Sequence, residues 1–126
     1  MTLYINTVGH DEIIIELRDK EGVLARKKIS APRKQSEKLL PAIDKLLKTK
    51  KIKLKELKKI IVANYGGSFT SLRIGVITAN ALAYALNIPV EAETKMKKVK
   101  EFSSYSIVEP IYDREPNIGI SKKPKL

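Results

Sequence analysis

The hydrophobic pattern of this chain changes after residue 30, and that change limits the folds open to it. Three short runs rich in isoleucine, valine and leucine come first: TLYINT at 2–7, IIIEL at 13–17 and VLARKKIS at 23–30. The turn-forming stretches GHDE and RDKEG separate them. Short apolar runs broken by glycine and aspartate are typical of strands joined in an antiparallel meander.

A helical period replaces the strand pattern in the next segment. Five apolar residues share one stripe of a helix: Leu39, Leu40, Ile43, Leu46 and Leu47. Their spacing of i, i+1, i+4, i+7 and i+8 is that of one helix face. Ser36 is a candidate N-cap, because its hydroxyl can accept a hydrogen bond from a free amide of the first turn. Pro41 then falls near the end of that turn, where a missing amide costs little.

Strands and helices alternate in the rest of the apolar sequence. We expect a fourth strand at 58–63, a second helix from about 70 to 86 and a short fifth strand at 89–92. Pro89 ends the second helix, since proline disfavours the helical conformation of the residue before it. The predicted fold class is therefore α/β, with a mixed sheet in β-β-β-α-β-α-β order and parallel pairing in its second half.

The second helix is apolar nearly all round. Eleven of the fifteen residues in 72–86 are apolar, and no charge lies between Arg73 and Glu91. Such a helix is usually covered on more than one side, here by the sheet and by either the first helix or another chain. Gly75, Ala79 and Ala83 recur every four residues, which lets another backbone approach closely. Burial within its own chain is the alternative to an interface.

A partly polar stripe of the same helix is the predicted partner interface. A sheet face would not favour Arg73, Asn80 and Tyr84, so this stripe should point outward with its apolar neighbours. Mixed aromatic, arginine and apolar composition suits a protein interface. The predicted interface residues are Arg73, Val76, Ile77, Asn80, Ala83 and Tyr84.

The turn before the second helix reads NYGGSFT at 64–70. The candidate motif residues are Gly66, Gly67, Ser68, Phe69, Thr70 and Gly75. A glycine turn at a helix N-terminus can hold phosphate, but this one has neither G-x-G-x-x-G nor the lysine of a P-loop. Phe69 also occupies the turn where a phosphate needs an open approach. The local pattern favours a structural turn, with Ser68 or Thr70 as the N-cap.

The chain is strongly basic, with a formal net charge of +11 from 25 lysines and arginines against 14 acidic residues. Lysine clusters lie at 45–59, at 95–100 and in the final residues, SKKPKL. Such clusters attract phosphate backbones through counterion release, but without interleaved aromatic residues or arginines they are also typical of a solvated surface. The candidate RNA contacts are Lys50, Lys51, Lys53, Lys97 and Lys98.

No catalytic set stands out in the sequence. Cysteine is absent and His10, in a turn beside Asp11 and Glu12, is the only histidine. Thiolate metal sites therefore lack their ligands, and a serine nucleophile would have His10 as its only imidazole base, which disfavours a catalytic triad. We expect no catalytic, cofactor-binding or metal-binding residues. We also expect a cytoplasmic protein without membrane association, because a signal-peptide pattern and a long uninterrupted apolar run are both missing.

Three segments, in order along the chain, resemble the TsaB (YeaZ) family. Residues 61–90 contain Gly67-Ser68-Phe69-Thr70 and Leu72-Arg73-Ile74-Gly75, which match the family's G-P-G-S-F-T-G-[LV]-R-I-G signature, with Tyr65-Gly66 for Gly-Pro and Ser71 for Gly. The stretch QSEKLLPAIDKLL is similar to the family's H-S-E-x-L-L-P helix, with Gln35 for histidine. The stretch EPIYDREPN is similar to its C-terminal P-[LV]-Y-L-R.

This resemblance implies an actin-like, ribonuclease-H-like (ASKHA) fold and a role in making N6-threonylcarbamoyladenosine in tRNA. It implies a non-catalytic dimerization subunit that docks through its two helices on a homologous TsaD-type transferase, with a TsaE-type ATPase joining the complex. The resemblance implies that ATP and metal bind to the partner subunits and that this chain has no cofactor of its own. It also implies that this chain contacts tRNA as part of the complex. A homodimer in isolation is an open alternative, because the family's helices can also self-associate.

Two departures from the family pattern shape the remaining expectations. Family members are longer, so we assign 1–92 to a ribonuclease-H-like domain and 93–126 to a basic linker and extended tail left from a second half. Asn6 stands where active relatives of the fold carry an acidic residue, which disfavours a divalent metal there. The alternative functions are a free-standing basic tRNA- or RNA-binding domain and a self-dimerising regulatory protein.

Overall fold

The computed structural model describes residues 1–93, 99–101 and 106–111, and these contain one five-stranded sheet. Its strands are β1 (Thr2–Asn6), β2 (Glu12–Asp19), β3 (Gly22–Ser30), β4 (Lys59–Val62) and β5 (Val90–Ala92). Their spatial order is β3-β2-β1-β4-β5. The first three strands pair antiparallel, whereas β1–β4 and β4–β5 pair parallel. The mixed sheet and its parallel half are therefore confirmed.

Two long helices connect these strands. Helix α1 spans Gln35–Thr49 and helix α2 spans Phe69–Leu86. The sequence did not predict a short 3₁₀-helix at Leu54–Glu56, nor a small antiparallel hairpin of β6 (Val99–Glu101) and β7 (Ser106–Val108). Three-residue strands in a polar, basic segment carry too little hydrophobic alternation to be recognised from sequence.

Both helices contribute to one core on a single face of the sheet. Strand residues alternate between faces, and the register places Leu3 and Ile5 of β1 beside Ile60 and Val62 of β4. The core residues from the sheet and the two helices are Leu3, Ile5, Ile13, Ile15, Leu17, Ile60, Val62, Val90, Ala92, Leu39, Ile43, Leu46, Leu47, Val76, Ala79 and Ala83. The apolar periods of strands and helices thus meet in one layer.

Polar side chains organise the opposite face of the sheet. The Tyr4 hydroxyl donates to the Glu93 carboxylate, 2.9 Å from each oxygen, and the Arg18 guanidinium lies 4.2 Å from the centre of the Tyr4 ring. Burial, and then the hydrogen bond to Glu93, raise the pKa of the Tyr4 phenol far above its ordinary value. Glu16 accepts from both Arg18 and Arg26 on the same face. This network links β1, β2 and β3 with Glu93, the residue that follows β5.

The start of α1 differs from the prediction. Lys34 occupies the N-cap position without a side-chain cap, and the helix begins at Gln35, so the proposed Ser36 cap is wrong. The buried Gln35 side-chain amide instead donates to the carbonyls of Thr7, Gly9 and Glu12, at 3.3, 3.2 and 2.7 Å. The start of α1 is therefore fixed by a tertiary contact, because the Gln35 side chain donates hydrogen bonds to carbonyl groups of the β1–β2 turn. The earlier start places Pro41 in the second helical turn.

Candidate protein-docking face

The glycine turn before α2 packs against the β1–β2 turn. Gly66 and Gly67 have φ of 93° and 72°, a region that favours glycine. A Cβ on Gly67 would lie 2.2 Å from the carbonyl oxygen of Val8 and 2.8 Å from its side chain. Ser68 caps the helix by accepting from the Ser71 amide at 3.1 Å, as predicted. The backbone of Val8 fills the space in front of Gly67, so this turn serves close packing.

The small residues of α2 face the sheet of their own chain. A Cβ on Gly75 would lie 2.6 Å from Oγ1 of Thr7, just after β1. The Thr7 hydroxyl donates to the Ser71 carbonyl and accepts from the Gly75 amide at 3.0 Å. Ala79 and Ala83 are fully buried beside it. The close approach that the four-residue repeat predicts is therefore made to β1, within the chain.

A row of exposed residues runs along the outer side of α2. Its members are Thr70, Arg73, Ile77, Ala81 and Tyr84, and we call this row the α2 ridge. Ile77 and Tyr84 are exposed by 55% and 65%. The spacing i, i+3, i+7, i+11 and i+14 keeps all five on one stripe, the spacing by which helices pack side by side. The ridge therefore presents large apolar groups in a line suited to another helix.

Three of the six predicted interface residues do not lie on this ridge. Val76 and Ala83 are 2% and 1% exposed and belong to the core, so their assignment to an outward face is wrong. Successive helix residues point about 100° apart, so Val76 turns to the sheet although it adjoins the exposed Ile77. Asn80 is half-buried: its amide donates to the Val108 carbonyl at 2.8 Å and accepts from the Val108 N–H at 2.7 Å.

A groove lies beside the ridge, between the start of α1 and α2. It measures about 300 Å³ and is lined by Ser36, Thr70, Arg73, Ile74, Ile77 and Thr78. Leu40 of α1 is not part of this lining, although its side chain is 55% exposed. The Arg73 guanidinium lies 5.3 Å from the centre of the Phe69 ring. The interface prediction omitted Thr70 and Ala81, although the seven-residue spacing of Thr70, Ile77 and Tyr84 is readable in the sequence.

Length and composition alone would allow α2 to cross a membrane. Core helices of globular domains meet the same test, and one third of this helix is buried within the domain. Its buried side holds Leu72, Val76, Ala79 and Ala83 against the sheet. The apolar composition of α2 is thus divided between a core side and the ridge.

Asn6 and His10, the other polar residues singled out from the sequence, lie near the two ends of the β1–β2 connection. Asn6 donates to the Tyr4 hydroxyl at 3.0 Å and accepts from the Val8 amide at 2.8 Å, so its side chain is engaged at the end of β1. His10 is exposed, with Asp11 at 3.2 Å. Within residues 1–93, 99–101 and 106–111, no group of three or more histidine, aspartate or glutamate side chains could hold a metal ion.

The predicted RNA contacts fall in two regions. Lys50, Lys51 and Lys53 are exposed around the end of α1. Lys97 and Lys98 lie outside the described residues. The division of the chain at residue 92 stays a prediction, although Val108 beyond it packs into the core.

Comparison with known proteins gives one consistent assignment. Residues 20–99 match a family model described as TsaD, tRNA N6-adenosine threonylcarbamoyltransferase. The tRNA threonylcarbamoyladenosine biosynthesis protein TsaB of Bacillus subtilis is 29% identical over 115 residues, which cover 90% of this chain and 50% of the relative. This chain therefore spans about half the length of that relative.

Solved structures agree with the sequence comparison. YeaZ from Pseudomonas aeruginosa aligns with a TM-score of 0.67 and 27% identity, over 74% of this chain and 43% of that one. The structure of an uncharacterized protein with similarity to peptidase YEAZ from Pseudomonas aeruginosa aligns with a TM-score of 0.68 and 27% identity, over 74% of this chain and 42% of that one. These neighbours confirm the actin-like, ribonuclease-H-like α/β fold class.

Proposed function

The chain belongs to the TsaB/YeaZ family, and we propose that it is a non-catalytic subunit that docks on a TsaD-type transferase and supports N6-threonylcarbamoyladenosine formation in tRNA. The observation that carries the proposal is the α2 ridge. It exposes Ile77, Tyr84 and Arg73 on a rigid helix whose other side is anchored in the core.

The composition of the ridge favours a protein partner. Tyrosine and arginine are enriched among the residues that contribute most to interface energy, and an exposed isoleucine between them gains from burial. The seven-residue spacing of Thr70, Ile77 and Tyr84 suits a helix as the contacting element. The groove beside it, closed on one side by α1, would receive one side chain of that helix.

The non-catalytic role is supported by how the polar groups of the chain are used. In the position where active relatives of this fold carry an acid, the Asn6 side chain bonds to Tyr4 and to the Val8 amide. In the turn before α2, Val8 occupies the approach to Gly67. We therefore assign ATP and metal to the partner subunits, and give this chain the task of holding its partner in an active arrangement.

Co-expression tests the proposal directly. The chain would be produced with the TsaD-type homologue of the same genome, purified through a tag on one subunit, and the mass of the eluted complex measured. We expect a stoichiometric heteromer. Ile77→Glu or Tyr84→Asp should abolish it, because each places a charge in the centre of the buried contact. Leu54→Glu is the matched control, since Leu54 is 46% exposed in the 3₁₀-helix and away from α2.

Three results would contradict the proposal. Elution without the TsaD-type homologue would remove the partner, and a homodimer with the same variant sensitivity would assign the ridge to self-association. Equal loss of the complex with Leu54→Glu and Ile77→Glu would show that the ridge is not the contact.

A further inference from the structure

A second groove lies on the other flank of the domain, between the edge strand β3 and α1. It measures about 280 Å³ and is lined by Ala25, Arg26, Lys27, Ile29, Ala42, Lys45, Leu46, Thr49 and Lys50. β3 is the outermost strand of the sheet, so the groove is bounded on one side by a strand edge. This second groove shares no residue with the α2 ridge or with the groove beside it.

The backbone geometry aims three lysines at this groove. In β3, alternation places Lys27 on the same face as Ala25 and Ile29, towards the helices. In α1, Lys45 lies on the stripe that also carries Ala42, Leu46 and Thr49, and Lys50, the C-cap residue of the helix, lines the groove next to Thr49. The floor is therefore apolar and the rim basic. Arg26 points to the opposite face, where its guanidinium contacts Glu16 at 3.2 Å.

These three lysines are not neutralised within the described residues. The ion pairs of neighbouring lysines go elsewhere: Lys28 lies 3.5 Å from Glu12 and Lys48 lies 3.1 Å from Asp44. Among the described side chains, those of residues 1–93 and 107–111, no carboxylate lies within 4 Å of the ammonium group of Lys27, Lys45 or Lys50. The lining itself contains no acidic residue.

Lysines close to the groove add to the positive electrostatic potential of its surface. From Lys45 to Lys51, the segment that contributes Lys45 and Lys50 to the lining, the chain carries four lysines and no acidic residue. A concave surface with one sign of charge concentrates counter-ions of the opposite sign. A polyanion is therefore the ligand that this groove fits by charge.

We infer that the β3–α1 groove binds the phosphodiester backbone of RNA. Lysine acts on phosphate as a point charge, and releasing the condensed counterions favours binding without reading sequence. The lining has no aromatic side chain on which a base could stack, so the contact is to the backbone. That this RNA is the tRNA substrate of the complex rests on the proposed function; binding of RNA by the groove does not.

The experiment measures RNA binding by the chain alone. A fluorescein-labelled single-stranded RNA of about 20 nucleotides and an unmodified tRNA transcript are titrated by fluorescence polarisation between about 50 and 300 mM salt. The groove variant combines Lys27→Ala, Lys45→Ala and Lys50→Ala. The matched control combines Lys20→Ala, Lys55→Ala and Lys58→Ala, which remove the same charge from exposed positions outside the groove lining.

We expect the groove variant to weaken RNA binding about tenfold or more. The slope of log affinity against log salt should also fall by about two, because each phosphate that a lysine neutralises adds about 0.7 to that slope. The control variant should retain the wild-type slope. Circular dichroism checks that both variants fold, and substituting the RNA sequence should leave the affinity unchanged.

Several results would overturn the inference. These are wild-type protein that does not bind RNA, equal weakening by both triple variants, or an unchanged slope in the groove variant. A labelled polyglutamate peptide that binds as tightly as RNA, and loses its binding in the groove variant, would assign the groove to an acidic protein segment. The groove lies apart from the α2 ridge, so the groove variant should still co-purify with the TsaD-type homologue. Co-purification therefore tests the docking proposal separately from the RNA-binding proposal.

Discussion

The two sides of α2 both carry apolar residues, but one side is buried and the other is exposed. The inner side carries Gly75, Ala79 and Ala83, which bring the helix close to Thr7 and the sheet. The outer side carries the larger Ile77 and Tyr84, which remain exposed. Leu72 and Val76 are buried on the inner side as well, so neither apolarity nor side-chain volume alone separates the packed side from the ridge. The small residues allow the helix backbone to approach the sheet closely, and the orientation of the helix leaves Ile77 and Tyr84 on the surface.

The largest expected effect comes from a charge on the inner side. Val76→Asp buries a carboxylate with no partner at a position that is 2% exposed. We expect a loss of at least about 4 kcal/mol of unfolding free energy, which is comparable with the whole stability of many domains. Urea denaturation followed by circular dichroism measures it. A cooperative transition at the wild-type midpoint would show that Val76 is not packed against the sheet.

A methyl group on Gly75 should have a smaller effect on the same side. Gly75→Ala places a carbon near Oγ1 of Thr7, and we expect about 2 kcal/mol of destabilisation from overpacking, partly offset by helix propensity. Thr7→Ala removes the oxygen, so the double variant should lose less than the sum of the two single variants. Strict additivity in this double-mutant cycle would contradict the close contact.

The flank between the two sides is held by Asn80. Asn80→Ala removes both hydrogen bonds to Val108, and we expect a cost of about 1 to 2 kcal/mol with faster amide exchange in 106–111. Ala81→Ser, on the adjacent ridge position, is the control. Unchanged exchange at Val108 in the Asn80 variant would show that the segment is held by other contacts.

The smallest effect on stability is expected on the ridge. Ile77→Glu alters an exposed position next to Val76, and the unfolding free energy should change by no more than about 0.5 kcal/mol. The same variant should lose the partner subunit. Thermal denaturation of Ile77→Glu beside Val76→Asp therefore compares two adjacent residues on opposite sides. A large loss of stability in both would erase the distinction between them.

Local patterns in the sequence were enough for the main elements of the domain. The short apolar runs broken by glycine and aspartate predicted the three antiparallel strands, and the helical stripe of Leu39, Ile43 and Leu46 predicted α1. The Ser68 cap was readable because capping involves only the first turn of the helix. The GGSFT and LRIG segments carried the resemblance to the TsaB/YeaZ family. Each of these signals involves residues that are close in sequence.

Contacts between distant residues were decided by the tertiary structure alone. Gln35 replaced Ser36 in fixing the start of α1 because the β1–β2 turn offers it carbonyl groups. The rotation of α2 on the sheet set Val76 inside and Ile77 outside, which hydrophobicity could not distinguish.

The β3–α1 groove also combines features set by local sequence with features set by long-range packing. Alternation along β3 and the period of α1 assign a face to Lys27 and Lys45 from sequence alone. The groove exists because β3 is the outer strand and α1 packs beside it, and that strand order is fixed by pairing across the whole sheet. The sequence by itself determined the elements and the charge they carry. The tertiary structure decided which surfaces those elements leave open, since long-range packing selects one orientation among several of similar local energy.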